Sequence, residues 1–298
     1  IPLVLTAADD PFAPSNQIPR STVKQVYDQM EADLLEAEIK LPLTYTDTYL
    51  KTTRATKGAA RALLMRLYLY KGDFAKASTY ANTIITSANY SLQSSPEIPF
   101  RTFTTNESIF SVAMDGGDNP NTNNAIGQHY GASRRADISI DQNFINLLGA
   151  TDKRKTLLTT SVSGTFYTSK YNNGTSDFVP VFRYAEVLLT RAEALARLAP
   201  AGTADAAALV LLNQIRTRAG ATPATAATQQ QLIDAILLER RIELAFEGHG
   251  IFEFLRTGRA IPAHGIVAEQ PYGSNYVVLP IPKYDIDKNP NLTQNPGY

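Results

Sequence analysis

Apolar residues recur at helical spacing over most of the chain and lose that period in its middle third. Val23, Val26, Tyr27, Met30, Leu34 and Ala37 lie three or four apart, after the proline-bounded stretch 11–19 and before Leu41-Pro42. With Ser21 or Thr22 as N-cap, this predicts a first helix. Thr56 to Tyr70 and Phe74 to Thr86 predict two more helices, joined by Lys71-Gly72-Asp73. In this hairpin Leu63, Leu64, Leu67 and Tyr68 face Ala77, Ala81 and Ile84, and the alanines permit close approach. The order Tyr68, Gly72, Phe74, Ala77 resembles the middle of a tetratricopeptide unit, with Met65 where that pattern has a small residue.

From Ser87 to about Asp137 the period breaks into loop and short strand. Glu107 to Met114 reads as a strand through Ile109 and Val112, and Asp115 to Arg135 is a polar tract without apolar period. Long loops of this kind inside domains are usually functional. A helix is expected near Gln142 to Leu148. Short strands are expected over Ser161 to Val181, around an Asn172-Asn173-Gly174 turn. Helical spacing returns over Arg183 to Leu198, Thr203 to Arg218 and Gln229 to about Arg256, with Gly248 and Gly250 breaking the last in two. The first two of these form a second tetratricopeptide-type hairpin across Pro200-Ala201-Gly202. The Pro- and Asn-rich tail, Tyr276 to Tyr298, is expected to lie extended on the body. The predicted architecture is mainly α, with helical hairpins as a scaffold and long loops and a few short strands packed on it.

Composition narrows the chemistry. Among 298 residues, 28 Lys+Arg balance 28 Asp+Glu, and no basic run exceeds three residues. The counterion-releasing stripe of a nucleic-acid binder is therefore not present. No apolar run approaches the roughly 18 to 20 residues of a bilayer helix. The chain has no Cys, which removes disulfides, thiolate nucleophiles and Cys-bound metal. It has no Trp but 15 Tyr and 12 Phe, and several tyrosines fall in the aperiodic segments.

The densest ionisable stretch runs from Glu239 to His249. On its helix Arg240 falls near the centre of the apolar face made by Ile233, Ile236, Leu237 and Leu244, with Glu243 and Glu247 at the edge. A guanidinium there must be paired, and Glu186 and Glu193 on a neighbouring helix are further candidate carboxylates. Glu186, Glu193, Arg240, Glu243 and Glu247 are read as a structural ion network. A glycosidase would need two carboxyls across an open cleft, which glutamates four apart on one helix side do not supply. His249 lacks HExxH spacing, and His129 and His264 complete the imidazoles, so no metal site is expected. Asp115, Asp118, Asn119, Asn121 and Asn123 supply oxygens for a Ca²⁺ ion but not at EF-hand spacing, and solvated turn residues are the preferred reading. Gly116-Gly117 lacks the Lys-Ser/Thr of a phosphate loop, and no G-x-S-x-G elbow is present. No catalytic residue and no cofactor is assigned.

Binding chemistry remains. A pyranose offers an apolar C–H face to an aromatic ring and hydroxyls to planar amide and guanidinium groups. Tyr130, Tyr167 and Tyr171 lie in the loops beside Asn123, Asn124, Arg134, Arg135 and Asn172, and these eight are the candidate ligand-binding residues. Zero net charge fits a neutral ligand such as a glycan.

Five stretches in order resemble the SusD/RagB family of Bacteroidetes outer-membrane lipoproteins. They are Arg20-Ser21-Thr22 through Tyr27 and Asp33-Leu34 to Leu41-Pro42; Ala59 to Tyr70 with Gly72-Asp73 and Ala77; Arg183-Tyr184-Ala185-Glu186-Val187-Leu188-Leu189 with Ala192-Glu193-Ala194; Glu239-Arg240-Arg241 with Glu243-Leu244 and Glu247-Gly248-His249; and Leu279-Pro280-Ile281-Pro282 with Asn289-Pro290 and Gln294 to Tyr298. After His249 the family usually has Arg and an Asp-Leu-Arg-Arg run, where this chain has Gly250 and Ile251-Phe252-Glu253-Phe254-Leu255-Arg256. Members normally begin with a lipidated cysteine and carry more helical sequence before Arg20, so residues 1–298 are expected to be the later part of a single domain of this family. The resemblance implies a non-catalytic surface protein that binds oligosaccharide or polysaccharide. It further implies a SusC-like TonB-dependent transporter as partner and a lipid anchor, outside this chain, on the extracellular face of the outer membrane. The alternative is a helical-repeat module that binds protein without glycan affinity.

Overall fold

The computed structural model describes residues 1–7, 10, 13 and 17–298; Pro11 and Pro14 of the proline-bounded stretch lie outside these residues. Helix α1 (Val23–Lys40) starts where Thr22 accepts the Gln25 amide and Gln25 accepts the Thr22 N–H, a reciprocal cap. None of its residues is buried, although its apolar positions have helical spacing. A short α2 (Thr48–Thr53) was not legible in the sequence. The hairpin of α3 (Lys57–Lys71) and α4 (Phe74–Thr86) forms as expected. Thr56 and Asp73 cap their N-termini, and Gly72, at φ 76°, makes the left-handed step between them. Side chains rarely take that backbone conformation. Met65 is fully buried, filling the place where a small residue was expected.

Strand β1 (Ser108–Val112) is followed by a polar tract that is not wholly irregular, because Ile126–Tyr130 forms a short helix, α5. Five residues are too few for an apolar period to be read. Helices α6 (Gln142–Ile145) and α7 (Arg154–Leu157) lead to a hairpin of β2 (Thr159–Val162) and β3 (Thr165–Thr168). Its turn is Ser163-Gly164, both at positive φ, as a two-residue hairpin requires. The expected turn at Asn172-Asn173-Gly174 lies outside any hairpin. Strand β4 (Val179–Arg183) instead runs antiparallel to β1.

Helix α8 (Tyr184–Leu198) has eleven of its fifteen residues buried, the pattern of a helix enclosed by others. Helix α9 (Ala206–Arg218) begins at an Asp205 cap, three residues later than expected. Helix α10 (Gln229–Glu243) starts in a capping box of Thr228 and Gln231. It stops well short of Arg256, since Phe246 and Gly248 take positive φ before α11 (Gly250–Arg256). Met65, Ala81 and Ile84 of the first hairpin meet Val187 and Leu189 of α8, Leu212 and Ile215 of α9, and Leu232 and Ile236 of α10 in one core. The tail is not simply extended, because Lys283–Lys288 forms α12.

The described residues divide into two compact units. Leu34–Glu253 is one; Ile1–Asp33 together with Phe254–Tyr298 is the other. Within the latter, Asn289 and Asn291 side chains donate to the carbonyls of Ile18 and Gln17, and Asn295 donates to Leu279 O. The asparagines of the tail thus satisfy backbone acceptors that no regular ladder reaches.

Replacing Met65 by Ala should leave a cavity in the fully packed α3 face. We expect a loss of about 2–5 kcal/mol, read as a lowered denaturation midpoint with an unchanged m-value.

Candidate functional site

Two features of Leu34–Glu253 gather its ionisable and polar side chains: a buried ion network and a surface cleft. In the network, Arg154, Lys170, Arg183, Arg216 and Arg218 face Glu107, Asp152, Glu239, Glu243 and Glu247, five cations against five anions. Arg183, 2 % exposed, ends β4 and begins α8. Its Nη1 donates to Glu107 Oε1 at 2.7 Å, and its Nε and Nη2 donate to the two Glu247 oxygens at 2.7 and 2.8 Å. Lys170 Nζ donates to Glu247 Oε1 at 2.7 Å and to Glu243 O at 2.8 Å. Glu243 also receives Arg154 and Arg218, at 3.0 and 2.6 Å. A single unmatched charge here would cost several kcal/mol, so the one-to-one balance is what permits burial.

The side chains expected to form an ion network are all buried, and Arg240 makes the anticipated ion pair with Glu193 beside partners that the sequence did not disclose. Arg240 makes a two-pronged contact with Glu253, at 3.0 and 2.7 Å, and also donates to Thr190; Glu193, the anticipated neighbour, stands 3.7 Å away. Glu186 pairs with Arg66 through two bonds of 2.7 Å. Glu243 and Glu247 turn away from Arg240 to the network around Arg183.

The cleft, about 230 Å³, lies between the loop after α5, the β2–β3 hairpin and Asn172, with Ser133, Arg134, Thr160, Ser169 and Tyr171 among its lining residues. Its floor is an aromatic cluster. Tyr171 packs against Phe100 and Tyr130, Tyr130 against Phe246, and the Tyr171 hydroxyl donates to Phe246 O at 3.0 Å. Lys170 and Arg183 lie over the Phe100 ring, 4.8 and 5.1 Å from its centroid. Three consecutive residues thus link the two features: Lys170 in the network, Tyr171 in the floor and Asn172 at the rim.

The rim is held by a second device. Asp177 is buried and accepts the backbone N–H groups of Asn172 and Asn173 at 3.2 and 2.8 Å. Burial pushes its carboxyl up, against the lowering effect of those two amides and of Arg101 and Arg134. Gly127 of α5 lies so close to Asp177 and to the Gly174 backbone that a Cβ would overlap both. Only glycine allows this docking.

Of the eight candidate ligand residues, Arg134, Asn172 and Tyr171 line the cleft. Tyr171 is 1 % exposed, so the expectation of a free ring for stacking is corrected. It is buried in one apolar cluster with Phe100 and Leu158. Tyr130 is half-buried in the same cluster. Tyr167 pairs across from Thr160 and stands on the same face of the hairpin, beside the lining. Arg135 is tied to Asp137 and Asn123, and Asn124 follows on that loop; neither lines the cleft. The hydroxyl residues Ser133, Thr160 and Ser169 were missed, because small polar residues in a hairpin carry no signal separable from solvation.

The oxygen-rich loop is folded on itself, with Asp115 Oδ1 accepting the Gly117 and Asp118 amides at 2.7 and 2.6 Å. Among the described residues, no group of three or more His, Cys, Asp or Glu side chains converges as metal ligands would. His249 is buried, and burial lowers its pKa.

Residues 148–298 match the SusD family, and residues 1–69 match a family described as "Starch-binding associating with outer membrane". The chain is similar to SusD-like protein P2 of Formosa agariphila, at 28 % identity over 94 % of this chain and 66 % of that protein. It is similar to the starch-binding protein SusD of Bacteroides thetaiotaomicron, at 34 % identity over 40 % of this chain and 21 % of that protein. The match therefore spans less than two thirds of either relative. A crystal structure of a SusD superfamily protein from Bacteroides vulgatus superposes with a TM-score of 0.81 at 29 % identity, over 95 % of this chain and 67 % of the other.

The network makes stability depend on acid. Burial alone would raise the Glu247 carboxyl; Arg183 and Lys170 overcome it and hold the group at about 2. A depressed carboxylate contributes stability above its unfolded pKa and loses it as pH falls through the folded value. Glu107, pushed up by burial, works in the opposite direction. Melting temperature should fall between about pH 4.5 and pH 2, with Glu247 contributing on the order of 3 kcal/mol. Thermal melts of Glu247→Gln should show lower stability at neutral pH and a shallower acid slope.

Proposed function

The chain belongs to the SusD family, and on that premise we propose that it binds oligosaccharide or polysaccharide without cleaving it, in the cleft above Tyr171. The observation that carries this reading is the cleft's construction. Hydroxyl, amide and guanidinium groups line it above the enclosed Tyr171, a set of donors and acceptors that suits the hydroxyls of a saccharide. The naming of one relative as a starch-binding protein supports the ligand class.

Absence of catalysis is part of the proposal. Glu243 and Glu247, the nearest candidates for an acid and base pair, are each hydrogen-bonded to arginine or lysine. Glu243 is held well below the carboxylate range, as arginines outweigh its burial, so it carries no proton to donate at neutral pH. For the whole protein the proposal adds delivery to a TonB-dependent transporter and lipid anchoring at the outer-membrane surface. The family description that matches residues 1–69 is consistent with that location. No helix among the described residues is long and apolar enough to cross a membrane.

Glycan-array screening followed by isothermal titration tests the reading. Binding of at least one oligosaccharide is expected, about tenfold weaker in the Asn172→Ala, Thr160→Val double variant, with unchanged melting temperature and no release of reducing ends. Absence of any carbohydrate binding would contradict it, as would turnover.

A further inference from the structure

The cleft has an uneven charge that the neutral composition conceals. Arg134 is exposed and lines it, and no Asp, Glu or Lys is among the lining residues. Its neighbour Arg135 is consumed by Asp137 and Asn123, at 2.8 and 2.7 Å. The Arg134 guanidinium makes no hydrogen bond and no ion pair with another described residue; only its backbone N–H is used, by Gly131 O at 3.0 Å. It is nevertheless placed, because its guanidinium carbon lies 3.6 Å from where a Cβ on Gly174 would stand, so the side chain rests on a bare glycine turn. Asp177, which feels its charge, has both oxygens engaged by the Asn172 and Asn173 amides.

A guanidinium offers five donors in a planar fork that fits two oxygens of one anionic group; a single sugar hydroxyl uses one of them. The remaining lining suits a sugar beside that anion. Ser169 donates its hydroxyl proton to Leu157 O at 3.1 Å, leaving lone pairs to accept from a ligand hydroxyl. Asn172 presents its side-chain amide at the rim with no hydrogen bond to a described residue.

We infer that the cleft selects an acidic saccharide, one whose carboxylate or sulfate is gripped by Arg134 while its hydroxyls meet Ser169 and Asn172. This rests on the glycan-binding reading and specifies its ligand. The expectation from net charge, a neutral ligand, is replaced locally, since a zero sum over the chain says nothing about one cleft.

The test is isothermal titration of the protein with matched pairs: uronate-bearing oligosaccharides against their carboxyl-reduced forms, and sulfated oligosaccharides against their desulfated forms. The acidic member of at least one pair should bind about tenfold tighter, and which pair responds identifies the anion. The gap should close in Arg134→Gln, narrow in Arg134→Lys, which keeps the charge but loses the fork, and shrink as ionic strength rises. Melting temperature should not change in either variant, because Arg134 is exposed. Equal affinity within every pair, or a preference that survives Arg134→Gln, overturns the inference while glycan binding stands. No binding of any member, acidic or neutral, overturns both.

Discussion

The guanidinium of Arg183 sits where β4 becomes α8, and the rest of the site follows from the need to neutralise it. Taking one cation out of water is costly unless carboxylates come with it, and Glu107, Glu243 and Glu247 do. Those carboxylates in turn draw in Lys170, Arg154 and Arg218. The result ties the segment before β1, the loop after β3 and the C-terminal ends of α9 and α10 to a single point. None of these attachments could be lost singly without stranding a buried charge.

This constraint reaches the surface through chain connectivity. Lys170 is fixed by Glu247, so Tyr171 is fixed in the aromatic floor and Asn172 at the rim. The Asp177 cap and the bare approach of Gly127 then hold the turn that follows. A cleft built on loops is thereby given a rigid base, which is how a binding surface avoids a large ordering cost on association.

How far the sequence disclosed this depends on sequence distance. The helical hairpins were readable because α3, α4, α8 and α9 carry full apolar periods and local stop signals such as Gly72-Asp73. That Arg240 must be paired was also readable, from its position on one helix face. Its actual partner, Glu253, lies past a break made by Phe246 and Gly248, and breaks erase helical phase. Arg183 was read only as a helix start; its partners are 60 to 76 residues away. The tyrosines were read as loop platforms, because a loop Tyr with no period gives no sign of whether apolar neighbours will enclose it. Tyr171 became core for that reason. Arg134 and Asn172 were identified by type and segment, whereas the hydroxyls opposite them come from a hairpin whose turn was misplaced by about ten residues.

The buried network positions the cleft. Native-state hydrogen exchange of Glu247→Gln compared with the parent protein tests it most directly. If Lys170 is freed from its anchor, amides of Tyr171, Asn172 and Asn173 should lose protection while those of the α3–α4 hairpin keep theirs. Unchanged protection at Tyr171 to Asn173, with the network demonstrably weakened, would contradict the account.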